Sequence, residues 1–264
     1  LSIRRQRQMC IRDSYTYQNK IGAAGTLSSG FSAIGNRVNS LLFGNHQSQN
    51  YAAFSQLDIH HKKLDFTAGV RLEYFEMDQL EADSKFVIPT KDSITLPFYP
   101  VFRTGLHYEL KPYTHLRASF GQGIRYPSVA ERFTQTSVGA LNIFPNPGLR
   151  PEVGWAAEVG IKQGFKIGTW KAMLDLAVFV NQYSNMMEFS FIYYNPISQQ
   201  PLNPINPSPA DLEFLTSGNY NVSDWVGFQA QNAEKARISG LDLSFNSTGH
   251  LGKVELISLM GYTY

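Results

Sequence analysis

The chain has 264 residues, a net charge of +2 and 17% charged side chains, with no basic stripe of the kind a nucleic-acid binder needs. No run of about 18 uncharged apolar residues occurs, which excludes membrane helices, while the 13% aromatic content suits strands and membrane interfaces. The single cysteine, Cys10, permits no internal disulfide.

In chain order, residues 1–14 (LSIRRQRQMCIRDS) are basic, lack the apolar core of a signal peptide and differ in style from the sequence that begins near Tyr15. They are read as a non-native leader and left out of the fold reasoning. A strand of mixed register is expected around YAAFSQLD. The clearest strand is LDFTAGVRLEYFEM, where Leu64, Phe66, Ala68, Val70, Leu72 and Tyr74 share one face and Asp65, Thr67, Gly69, Arg71 and Glu73 the other. The same period of two returns in FYPVFRTGLHYEL, in LRASFGQGI, in the run from Trp155 to Phe165 and in WKAMLDLAVFV. Further strands are expected around GFQAQNAEKARISGLDLSF and KVELISLMGY, for about eight in all, and no helix is expected.

The links alternate strictly. IHHKK, KPYTH, KIGT and STGHLG are short, whereas residues 78–97, 125–153 and 190–226 are long. Short and long connections therefore gather at opposite ends of an up-and-down sheet, as in an outer-membrane barrel and unlike a sandwich with Greek-key crossings. The runs also reach the roughly 9 to 11 residues that a tilted strand needs to cross a bilayer. Tyr108, Phe165 and Trp170 lie near short turns and Tyr74, Phe98 and Trp155 near long loops, which predicts two aromatic girdles. The expected fold is all-β: an antiparallel up-and-down transmembrane β-barrel segment over residues 15–264, cut short at its C-terminal strand.

ASFGQGIRYPSVAERF, followed by FPNPGLRPEVGWAAEVGIKQGF and later by NAEKARISGLDLSF, resembles the barrel region of TonB-dependent outer-membrane receptors. The residues that carry the likeness are Arg125, Pro127 and Ser128, then Asn146, Pro147, Leu149, Pro151 and Glu152, then Glu158 and Gly160, then Asn232, Arg237, Ile238, Gly240 and Asp242. The resemblance implies a 22-stranded barrel with an N-terminal plug that imports a scarce ligand (a siderophore, cobalamin or a glycan) on energy relayed by TonB. No plug or TonB-contacting segment is recognised in this chain. The implied partners are outer-membrane lipid, the TonB complex through a plug, and a small-molecule or glycan ligand, with no nucleic acid. The implied location is the bacterial outer membrane. The alternatives are an ungated porin-like channel and a secreted β-sheet binding or adhesion module.

Among candidate site residues, Arg125, Pro127, Asn146, Pro147, Leu149, Pro151, Glu152 and Gly240 are read as structural, since the prolines fix φ where loops join the wall. Ligand contacts are expected from the loop aromatics Tyr193, Tyr194, Phe214, Tyr220 and Trp225. Arg71, Glu73, Arg103, Arg117, Glu158, Lys162 and Asp175 follow strand parity and read as inward wall residues, costly on a lipid face. His60 and His61 point opposite ways in an extended chain and read as a polar turn rather than a metal site. Glu131 and Glu152 have no spacing that suits acid/base work. No catalytic, metal or cofactor site is expected, and no enzyme.

Overall fold

The computed structural model describes residues 7–264 except 41, 43, 79–92, 140, 196–197, 199, 204, 219–224 and 234. In chain order the elements are β1 (Arg7–Ile21), β2 (Gly25–Ser40), β3 (Gly44–His61), β4 (Leu64–Asp78), β5 (Ser93–Lys111), β6 (Thr114–Arg125), α1 (Val129–Phe133), β7 (Thr136–Val138) and β8 (Leu141–Phe144). There follow β9 (Glu152–Ile167), β10 (Trp170–Ser184), β11 (Met187–Asn195), β12 (Gln200–Leu202), α2 (Pro209–Ser217), β13 (Val226–Asn232), β14 (Lys235–Leu251) and β15 (Val254–Thr263). Ten strands form one sheet in the order β1-β2-β3-β4-β5-β6-β9-β10-β14-β15, every neighbouring pair antiparallel. The other five make a second sheet, β12-β11-β13-β8-β7.

The expected count of about eight strands is therefore too low for the wall. β2 gives no strand signal because glycine and serine occupy both of its faces in GTLSSGFSAIGNRVNS, which erases the alternation. β1 starts inside the segment read as a leader and pairs with β2 without a break from Arg7 to Ile21. Five tight turns of the ten-stranded sheet lie at one end, and each places one residue at positive φ: Gly22, Lys62, Tyr113, Gly168 and Gly252. The long connections lie at the other end, together with one short link at 41–43 that departs from the strict alternation.

Exposure along the wall is inverted relative to a water-soluble sheet. On the apolar face Val159 is 60% and Val178 51% exposed, whereas on the charged face the Asp175 side chain is only 19% exposed. Apolar side chains left outward and charged ones partly buried require a lipid solvent outside. The outward face also carries a row of rings at the long-loop end. Phe31, Tyr51, Tyr74 and Phe98 follow one another across β2 to β5 with centroids 6.3, 6.5 and 5.9 Å apart. Phe120 and Trp155, 6.2 Å apart, add a pair on β6 and β9. Phe165 and Phe245 sit 6.5 Å apart nearer the short turns. From Leu64 to Tyr74 the strand rises ~3.3 Å per residue, so at ~45° tilt these levels are separated by ~23 Å, matching a bilayer's apolar band.

Aromatic residues that break parity have a different purpose. Phe54 and Phe179 lie on the charged face, each directly across from a glycine, Gly30 and Gly240. A Cβ at Gly30 would lie 2.5 Å from the Phe54 ring, and one at Gly240 2.7 Å from the Phe179 ring. The rings thus cover bare backbone that would otherwise leave a gap in the wall. Gly160 serves a polar side chain instead. Arg117 on β6 passes over it to reach Asp175 on β10, while its Nε donates to Glu158 at 2.8 Å. A Cβ at Gly160 would stand 2.8 Å from the Arg117 Cζ. Gly160→Leu is expected to lift Arg117 off Asp175 and cost about 1 kcal/mol, since the pair is partly solvated. In a double-mutant cycle, the loss should largely vanish in an Arg117→Ala background.

The connections at the long-loop end fold on their own account and, among the described residues, contain two helices, contrary to the all-strand expectation. Both helices begin with a capping box that the sequence spells out. In SVAE, Ser128 accepts from the Glu131 amide at 3.2 Å and Glu131 accepts from the Ser128 amide at 2.8 Å. In SPAD, Ser208 and Asp211 do the same. α1 then turns back across the charged face of β2 to β4. Val129 and Phe133 bury themselves against Val38, Phe75 and Met77, Phe133 stacks on His46 at 4.0 Å, and Tyr126 stacks on Phe75 at 4.6 Å.

Candidate functional site

The junction between wall and loops is organised around Arg125, the last residue of β6. Its Nε donates to Glu152 Oε2 at 2.6 Å and its Nη1 to Glu131 Oε1 at 2.7 Å. Glu152 Oε1 in turn accepts from the Met187 amide at the foot of β11, at 2.6 Å. One guanidinium therefore ties β6, β9, the α1 cap and the base of the second long loop. Below it on the charged face lies a cavity of about 480 Å³, floored by Gly121, Gly123 and Gly154 and walled by Tyr183.

Residues 145–151, PNPGLRP, are held by hydrogen bonds on two sides. On one side Arg132, 0% exposed, donates from Nη1 to the Pro147 carbonyl at 2.9 Å and from Nη2 to the Leu149 carbonyl at 2.7 Å. No carboxylate pairs with it among the described residues, and burial pushes its guanidinium down to about 10, so it stays charged at neutral pH. On the other side Gln229 Nε2 donates to the Pro145 carbonyl at 2.9 Å and Asn146 Nδ2 to the Ala230 carbonyl at 2.9 Å. Asn232 holds Arg150 twice, accepting from its amide at 2.8 Å and donating to its carbonyl at 2.9 Å. Leu149 and Pro127 are almost fully buried. The structure thus gathers Arg125, Pro127, Asn146, Pro147, Leu149, Pro151 and Glu152 at one junction, and leaves Gly240 in the wall beneath Phe179. Sequence reasoning misses Arg132, Gln229 and Gly227. Arg132 carries no visible signal, because a basic residue in a short polar helix ordinarily faces water.

The five-stranded loop sheet separates the candidate ligand aromatics. Tyr194, 4% exposed, stacks on Phe144 at 4.3 Å, and burial raises its hydroxyl to about 12. Phe214 of α2 is 4% exposed and meets Trp225 edge-on at 5.8 Å. Tyr193 lies on the opposite face, 5.5 Å from Trp225, in a row with exposed Phe189, Phe191 and Phe228. Tyr220 lies outside the described residues. His60 and His107 both point a ring nitrogen at Asp65 near a short turn, and no group of three or more His, Cys, Asp or Glu side chains among the described residues is placed to hold a metal ion.

Glu131 provides a pH handle on the junction. Burial alone would raise its carboxyl, but the Ser128 amide and Arg125 outweigh that and hold it below its ordinary 4.5. A depressed folded-state value means stability that is complete above the ordinary value and is lost as pH falls through the folded one. The protection factors of amides 129–133, taken relative to intrinsic exchange at each pH, are expected to be flat above the ordinary carboxyl value of 4.5 and to fall as the pH drops below it. Glu131→Gln should flatten that acid limb, and an unchanged limb in this variant would assign it to another group.

Residues 8–264 match the family described as "TonB dependent receptor-like, beta-barrel". The chain belongs to this receptor family. The resemblance read from the loop motifs is therefore borne out, and so is an all-β, mostly antiparallel wall. The family is one of bacterial outer-membrane receptors. The chain is 28% identical over 155 residues to "Hemoglobin-haptoglobin utilization protein B" of Neisseria meningitidis serogroup C, an alignment that covers 59% of this chain and 17% of that protein. Among solved structures it is similar to the hemophore receptor HasR of Serratia marcescens, solved as a double mutant in complex with its hemophore HasA and heme, with a TM-score of 0.67 and 15% identity over 98% of this chain and 42% of that one. It is also similar to the siderophore receptor PirA of Acinetobacter baumannii, with a TM-score of 0.60 and 14% identity over 98% of this chain and 36% of that one. The receptor chain thus spans less than half the length of these relatives.

Proposed function

We propose that this chain is part of the wall, with two extracellular loops, of an outer-membrane receptor that takes up a scarce iron-bearing ligand of the haem or siderophore class. The observation that carries this reading is the pairing of an inside-out wall with two long loops that fold together at one end and display Tyr193, Phe191 and Phe228. An aromatic platform suits a flat porphyrin or catechol ring better than an ion. The haem-linked and siderophore receptors that it is similar to favour the same class over cobalamin or glycans. In this reading the long-loop end faces outward and further strands complete a barrel of about 22. A plug, contributed from outside this segment, relays energy from TonB. Tyr193 and Trp225 contact the ligand, with Tyr194 and Phe214 as the scaffold behind them.

The test is growth on haemin, and separately on a catecholate siderophore, of cells whose only receptor is the one carrying this segment, with and without TonB. Growth that needs TonB on either source supports the reading. Uptake that proceeds equally without TonB would establish an ungated channel, and a protein that stays soluble without detergent would establish a secreted binding module.

A further inference from the structure

The five tight turns carry an uneven share of the charge. Within three residues of them, counted along the chain, lie Lys20 at the first, Lys62 and Lys63 at the second, Lys111 at the third, Lys166 and Lys171 at the fourth and Lys253 at the fifth. These are seven of the eleven lysines in the chain, and no arginine lies in the same band. All seven are exposed, and none takes part in an ion pair among the described residues. The acids of the band are Asp65, Glu109 and Glu255. Asp65 is taken up by His60 and His107, and Glu255 accepts from Thr248 at 3.4 Å. Lys166 and Lys171 stand directly opposite each other across β9 and β10. Like charges in that position repel, and an anion held between them removes the penalty.

Toward the membrane the same turns are apolar. Ile21, Tyr113, Ile167 and Leu251 are 49–74% exposed, just past the Phe165 and Phe245 rings that mark the edge of the apolar band. Three residues from Phe165 to Gly168, at ~3.3 Å each and ~45° tilt, put the turn ~7 Å beyond that edge, in the headgroup layer. Lysine stems beside exposed apolar side chains are the make-up of an interfacial anchor, whereas an acidic protein partner would be met by charge alone. One turn also has a seat for a hydrocarbon chain. Ala172 and Ser247, paired across β10 and β14, are small, and Phe165, Ile167, Trp170 and Phe245 stand around them, enclosing a recess of about 340 Å³ on the lipid side. The recess ends at the turn that bears Lys166 and Lys171.

We infer that the short-turn rim of the wall binds anionic phospholipid of the adjoining leaflet, with the β9–β10 turn as its defined site. The phosphate lies at Lys166 and Lys171, whose long stems reach the headgroup layer from the next-to-last pair of the wall, and one acyl chain lies in the recess beside Trp170. The inference rests on the wall standing in a membrane and not on which ligand the receptor takes up.

Native mass spectrometry tests it, on the receptor carrying this segment in micelles that hold equal amounts of phosphatidylglycerol and phosphatidylcholine. Phosphatidylglycerol should be retained over phosphatidylcholine by about 5-fold, the factor that one lysine near an anionic surface contributes, with one molecule held more tightly than the rest. Lys166→Gln combined with Lys171→Gln should lose that molecule, and so should Ala172→Phe, which fills the recess and leaves every charge in place. Lys235→Gln, at an exposed lysine of the long-loop end, should change nothing. Heat-modifiable migration checks that each variant is folded. Equal retention of the two lipids would overturn the inference and leave the lysines to an acidic protein partner. Unchanged retention in the double lysine variant would overturn the site at the β9–β10 turn, and unchanged retention in Ala172→Phe would overturn the acyl seat. Displacement of the lipid by inorganic phosphate at constant ionic strength would overturn the lipid as occupant and assign the lysines to free phosphate.

Discussion

Gly240→Val is expected to cause a larger loss of folded receptor than substitutions in the loops. The new Cβ would stand 2.3 Å from the Tyr264 carbonyl oxygen and 2.7 Å from the Phe179 ring. A ring can rotate away, but that carbonyl accepts from the Leu241 amide at 2.8 Å, and the Tyr264 amide donates back to the Leu241 carbonyl at 2.9 Å, directly beyond the last pair of the β14–β15 ladder. Relieving the clash means giving up the Leu241–Tyr264 bonds or shifting the adjoining end of the ladder, with a cost on the order of 3 kcal/mol. Heat-modifiable migration, which distinguishes a folded barrel from an unfolded chain, provides the measurement. Phe179→Ala in the same molecule separates the two contacts. The double variant should recover only part of the folded fraction, because the carbonyl remains in the way. Full recovery would show that the ring was the only obstacle. Gly30, where a Cβ would stand 2.4 Å from the Tyr15 carbonyl oxygen and 2.5 Å from the Phe54 ring, is expected to respond in the same way.

Arg132→Ala is the second large effect, and it should be local. Removing the guanidinium leaves the buried Leu149 carbonyl and the half-buried Pro147 carbonyl without their Arg132 donors and opens a gap beside Phe133. Loss of two charge-assisted bonds, partly offset by relief of a buried cation, amounts to about 3 kcal/mol. Limited proteolysis should then cut within residues 145–151 while the wall stays resistant. Arg132→Lys should rescue little, because an ammonium cannot span two carbonyls in the planar fork that guanidinium offers. If Arg132→Lys behaves like the parent, a point charge suffices and the bidentate reading is wrong.

Period-two alternation is enough to place the wall strands from Leu64 to Val180, because a face exposed to lipid must be apolar at every second residue whatever else the chain does. It fails for β2, where glycines and serines leave nothing to alternate, and for Phe54 and Phe179, which sit on the charged face for the sake of a neighbouring strand's glycine. The capping boxes SVAE and SPAD are legible in the sequence, but the helices they start are too short to show a period of their own beside the strand pattern. Tyr194 and Tyr193, adjacent in sequence and alike in chemistry, cannot be separated until the strand that carries them has a buried and an open face.

By itself, then, the sequence determined the solvent of this protein and its family: inward charges, outward apolar residues and the proline-rich loop motifs are local signals, each contained in a few consecutive residues. Only the tertiary structure decided what the long connections do. The parallel pairing of β8 with β13, the crossing of Arg117 over Gly160, and the burial of Arg132 beneath two carbonyls all join residues distant in sequence. No periodicity encodes such contacts, because they depend on which strands the sheet has already brought side by side.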